Sequence, residues 1–127
     1  MKGRAGSGQV DAALGRVLIA VLFFAGAAQK VVSPQDAARL LDGVGLPGAL
    51  VWPAAAFNLA GAICLVLGIR LVLVARLLAA YCILTSAFHL IPSDGWQMSI
   101  FVKNWAIAGG LLALAAWDAD RPRSDPR

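Results

Sequence analysis

The chain's only histidine, His89, and its only tyrosine, Tyr81, fall in one apolar stretch, residues 71–91 (LVLVARLLAAYCILTSAFHLI). Tyr81, Thr85 and His89 recur at i, i+4 and i+8 with Cys82 beside them, so a helix here carries one polar stripe on an aliphatic surface. Gln29 and Lys30 end the first apolar stretch of the chain, and Lys103 and Asn104 begin the last. In spans of alternating direction, these four residues and His89 approach the same membrane face. That convergence is the main functional clue that the residues themselves carry. The plainer expectation is that Lys30 and Lys103 snorkel outward and His89 bonds a loop carbonyl.

A second, deeper polar layer is thinner. Asn58 lies about 16 Å from the opposite face, and Tyr81 and Cys82 reach a similar depth at about 1.5 Å of rise per residue. A buried Asn is costly unless paired, so a contact between Asn58 and Tyr81 or a backbone carbonyl is expected, acting as interhelical glue. Cys64 is about 9 Å shallower than Cys82, too far for a disulfide. With no CxxC pair and no zinc-type Cys/His cluster, no metal site is expected. A bis-histidine haem needs two ligands, and a single histidine argues against it.

The elements that must position these residues follow from composition. Of 127 residues 60% are hydrophobic and 14% charged, with mean hydropathy +0.76, whereas soluble domains carry about 25% charged residues. An integral membrane protein is implied. The net charge of +4 does not point to nucleic acid, because the basic residues sit at the ends of apolar segments. All seven acidic residues are aspartates outside those segments, so no intramembrane carboxylate is available for acid–base work.

Taken in order, residues 1–11 form a basic, Gly-rich cytoplasmic tail expected to be disordered. Residues 12–32 are a first span; they imitate a signal peptide, but three further apolar segments need a first one to complete an even bundle. Ser33 as N-cap, Pro34 at the first helical position and Asp36 in the first turn start a short amphipathic helix over 34–42, expected to lie on the membrane surface. Residues 49–69, 71–91 and 99–117 are the remaining spans, with a tight turn at Gly68-Ile69-Arg70 making the second and third antiparallel neighbours. Residues 118–127 are a charged cytoplasmic tail. The fold expected is thus all-α, an antiparallel four-helix transmembrane bundle over 12–117. Lys2, Arg4, Arg16, Arg70, Arg76, Arg121, Arg123 and Arg127 fall on one side and only Lys30, Arg39 and Lys103 on the other, which puts both termini in the cytoplasm. Trp52, Trp96 and Trp105 then anchor the outer interface and Trp117 the inner one.

Several of these residues together resemble the DoxX family of small four-helix membrane proteins. The resemblance rests on Arg16 followed by LIAVLFFAGAAQK, Gly45-Leu46-Pro47, the Gly61 and Gly68-Ile69-Arg70 region, Phe88-His89, and Phe101-Val102-Lys103-Asn104 with Gly109-Gly110-Leu111, and it covers nearly all of residues 12–117. It implies that Gly26, Lys30, Arg70, His89, Lys103 and Asn104 are recurrent family positions. One departure is Phe57-Asn58-Leu59-Ala60-Gly61-Ala62, where many members have a glutamate in a pattern like ELxGG, so a role resting on that carboxylate does not carry over. By the same resemblance the chain is expected to be a non-catalytic accessory subunit of a larger redox complex in a bacterial inner membrane, its outer helix faces binding lipid and partner subunits. The alternative is an oxidoreductase acting on quinone through Gln29, Lys30, His89, Lys103 and Asn104. A solute carrier is disfavoured by the absence of intramembrane carboxylates, broken helices and inverted repeats.

Overall fold

The computed structural model describes residues 2–122, and among them every regular element is helical. In chain order these are α1 (Lys2–Val32), α2 (Pro34–Asp42), α3 (Val51–Leu67), α4 (Leu71–Ser86) and α5 (Gly95–Asp120). Short 3₁₀ turns, Gly48–Leu50 and Ala87–His89, lead into α3 and out of α4. Four helices are long and apolar enough to cross a membrane. Arg123 and Arg127 lie outside the described residues.

The helix bounds depart from the sequence expectation at several ends, with α3 covering Val51–Leu67 against the expected 49–69. Helix α1 begins at Lys2, inside the stretch expected to be a disordered tail. Once the apolar part is helical, each further turn adds a hydrogen bond per residue fixed, and no proline interrupts it. Its 31 residues span about 46 Å against a hydrocarbon core of about 30 Å, so it overshoots the bilayer. Helix α4 stops at Ser86, short of residue 91. Thr85 Oγ1 donates to the Tyr81 carbonyl at 2.7 Å and Ser86 Oγ to that of Ile83 at 2.6 Å. Such bonds compete with the backbone ladder at the helix end, and Pro92 disfavours helix at the residue before it. Helix α5 begins at Gly95 and not 99, because Asp94 caps it: Oδ1 accepts from the amides of Trp96 at 3.0 Å and Gln97 at 3.2 Å. It also runs on to Asp120.

Helix α2 has the expected bounds, though Ser33 at its N-cap makes no side-chain capping bond. Its exit is wound tightly, with the Leu46 amide donating to the Leu41 carbonyl at 2.9 Å and Gly45 at a positive φ of 78°. Pro53 is tolerated in α3 because it stands in the first turn, where amides have no intrahelical partner. The α3–α4 turn needs left-handed backbone at Gly68 (φ 73°) and again at Arg70 (φ 47°).

The most extensive packing is α1 on α3 and α4 on α5, with α3 on α4 joining the two pairs. Leu65, Leu78 and Leu111 are fully buried, and alanines such as Ala20, Ala62, Ala75 and Ala108 fill the space between backbones. Large residues such as Leu18, Val21, Leu73, Leu77 and Leu112 stay exposed on outer faces. Lipid tails are as apolar as these side chains, so little is gained by burying them between helices and close backbone approach carries the association. Gly61 is one such point: a Cβ there would lie 2.7 Å from Leu78 Cδ2. Gly61→Leu is therefore expected to destabilise the bundle by about 1–3 kcal/mol, read as a lowered thermal midpoint in detergent, and Leu78→Ala in the same chain should recover part of the loss.

Candidate functional site

A cavity of about 660 Å³ occupies the end of the bundle where α1 finishes and α5 begins. Ligand pockets typically measure about 300–1,000 Å³ and carry a few polar groups on apolar walls. Its wall is built from the C-terminal third of α1, the inner face of α2, the first turns of α3, the last turns of α4 and the first half of α5. Gln29, Lys30, His89, Lys103 and Asn104 all line it, and so do Asn58, Tyr81 and Cys82. The two polar layers that were read as separate levels thus share one space.

Gly26 is the hinge between them. A Cβ on it would stand 3.2 Å from Asn58 Nδ2 and 3.8 Å from Lys30 Nζ, so its missing side chain lets the outer lysine and the deep amide approach the same point. Lys30 does not extend outward; Nζ curls back to donate to the Gly26 carbonyl at 3.5 Å. Lys103 is exposed. Asn104 is half-buried and Gln29 exposed.

His89 bonds no loop carbonyl. Its Nδ1 donates to Gln97 Oε1 at 2.6 Å, which leaves Nε2 with the lone pair in the neutral ring. Gln97 is held in turn by the Asp94 cap, and it also lines the cavity. Sequence reading missed this residue. Its signal was the spacing Asp94-x-x-Gln97, the capping-box pattern, whose fourth side chain serves the histidine here.

Asn58 is 3% exposed. Its amide lies beside the Tyr81 side chain, and its Oδ1 has no hydrogen-bond partner. Phe57 packs against Tyr81 with ring centroids 5.1 Å apart and the planes tilted by 45°. Trp105, expected only to anchor the interface, donates from Nε1 to Ser86 Oγ at 3.1 Å and ties α5 to α4 behind the cavity. Cys64 and Cys82 are both free.

The DoxX family model matches residues 12–90. The chain belongs to the DoxX family. Neither the curated proteins nor the solved structures yield a match. Together with four membrane-crossing helices, membership makes this DoxX protein a multi-pass membrane protein with apolar faces against lipid. The matched span holds Gln29, Lys30, Asn58, Tyr81, Cys82 and His89 and stops short of Gln97, Lys103 and Asn104. In this DoxX chain those three reach the cavity through the packing of α5 on α4.

Gln97→Leu leaves the His89 Nδ1–H without its acceptor. A stability loss of about 1 kcal/mol is expected, with the Nδ1–H tautomer losing its dominance in the ¹⁵N spectrum of histidine-labelled protein.

Proposed function

We propose that this DoxX protein is a quinone-binding subunit of a membrane redox system. The observation that carries the reading is the single cavity on which Lys30, His89, Lys103, Asn58 and Asn104 converge from four helical segments. Asp36 is the one acidic residue on its wall, and it lies 3.9 Å from Arg39, so Lys30 and Lys103 leave the site with excess positive charge. Quinone oxygens accept hydrogen bonds, which suits ammonium and amide donors, and an apolar wall that includes Phe23, Phe88 and Leu22 suits the ring. When bound, a quinone supplies two-electron, two-proton chemistry. The chain's own part is to hold its oxygens with Lys30 and Lys103, to exclude water with α2, and to take or give a proton at His89 Nε2 while Gln97 holds Nδ1.

The same reading sets the protein in a bacterial inner membrane with both termini cytoplasmic and neighbouring spans antiparallel. Arg16 of α1 lies against Gly68 just past the end of α3, while the later Gly26 meets Asn58 at the middle of α3, which supports opposite directions for α1 and α3. The exposed Asp36–Arg39 pair and the buried Leu41 give α2 the two faces of an interfacial helix. The cavity then opens at the outer membrane face.

His89→Ala and Lys103→Ala should each weaken binding of added quinone about tenfold or more while circular dichroism shows an intact helical bundle; wild-type binding in both variants overturns the assignment. Tagged purification from native membranes in mild detergent is expected to recover a stoichiometric redox enzyme together with quinone. Recovery of the protein with quinone but no partner overturns the subunit role and keeps the binding role.

A further inference from the structure

Two hydrogen-bond donors on the cavity's wall are turned back onto the protein. Thr85 Oγ1 donates to the Tyr81 carbonyl and Lys30 Nζ to the Gly26 carbonyl. Asn58 Nδ2 sits against Gly26, 3.2 Å from where a Cβ would stand. A buried acceptor is left without a partner, Asn58 Oδ1, on a side chain that is 3% exposed and lines the cavity. An orphaned amide oxygen at such depth is expensive, and only a donor relieves it. The amide torsion is broad and soft, so Oδ1 turns toward the cavity at small cost.

We infer that Asn58 is the specificity-determining residue of the cavity, accepting a hydrogen bond from a ligand hydroxyl, so that the site holds a hydroquinone in preference to the oxidised quinone. This deepens the quinone-binding reading and rests on it. A quinone carbonyl is an acceptor alone: it satisfies the lysine side of the cavity and leaves Oδ1 unpaired. A hydroquinone oxygen accepts and donates at once, so one hydroxyl serves Oδ1 while the other takes a bond from Lys30 or Lys103. Tighter binding of the reduced form makes the bound couple easier to reduce. Gly26 belongs to the same device, since its missing Cβ leaves the room in which the Asn58 amide sits.

The test is equilibrium dialysis of the detergent-purified full chain, under anaerobic conditions, against decylubiquinone and separately against decylubiquinol, with chromatographic quantification. The wild type should bind the reduced form about tenfold tighter, which corresponds to a rise of about 30 mV in the potential of the bound couple. Asn58→Leu should bring the ratio of the two affinities close to one while decylubiquinone still binds. Gly26→Ala, which crowds the amide without removing it, should lower the ratio in the same direction and serves if Asn58→Leu does not fold. Equal affinities in the wild type, or a preference that survives both substitutions, overturns the role of Asn58 and leaves the quinone-binding reading standing. Failure of the wild type to bind either form overturns both.

Discussion

A bilayer core offers no hydrogen-bond partner to a polar group, and that one constraint organises this protein. It makes the spanning backbone helical, because only a helix satisfies its own amides and carbonyls within a single segment. It equally decides where polar side chains go. Thr85 and Ser86 turn their hydroxyls back onto carbonyls of their own helix, Trp105 reaches Ser86, and His89 takes Gln97. What local bonding does not absorb gathers in the one cavity at the end of the bundle.

Packing enforces the same arrangement from the other side. Without a strong hydrophobic drive between helices in lipid, association depends on how closely backbones approach. Gly61 admits Leu78 between α3 and α4, Gly26 admits the Asn58 amide between α1 and α3, and Gly68 lets the Arg16 guanidinium lie against the α3–α4 turn. Gly26 and Gly68 thus each hold a contact that also places a polar group. At Gly26 the two roles coincide most closely, since the small residue that brings α1 onto α3 is the point at which Lys30 and Asn58 converge.

The cavity is correspondingly uneven in its chemistry. Its rim is rich in donors and positive charge, and the orphaned group in its deep wall is an acceptor. An arrangement with one uncompensated acceptor is less stable than an apolar wall would be, and natural proteins keep such groups where a site requires them. Helix α2 covers this end of the bundle, touching α1, α3 and the turn after α4, so the polar groups are roofed by a short helix anchored through Leu41.

Most of the fold could be read from the chain, because its determinants are local. Long apolar runs separated by turn residues set four spans, and Ser33-Pro34 with Gly43 bounded α2 to the residue. The ends were less legible where side chains outvoted hydropathy: Asp94 capping drew α5 back to Gly95, and hydroxyl back-bonding with Pro92 cut α4 short at Ser86. Membership of the DoxX family was legible too, through residues 12–90. For the site, the sequence by itself determined which polar residues enter the membrane region and at what depth, since depth follows from position along a helix of fixed rise. Whether the outer cluster and the deep layer share one space depended on rotation of each helix about its axis and on contacts between segments far apart in sequence. Only the tertiary structure decided that Gly26 brings Lys30 to Asn58, that Gln97 belongs to His89, and that Asn58 Oδ1 is left without a partner.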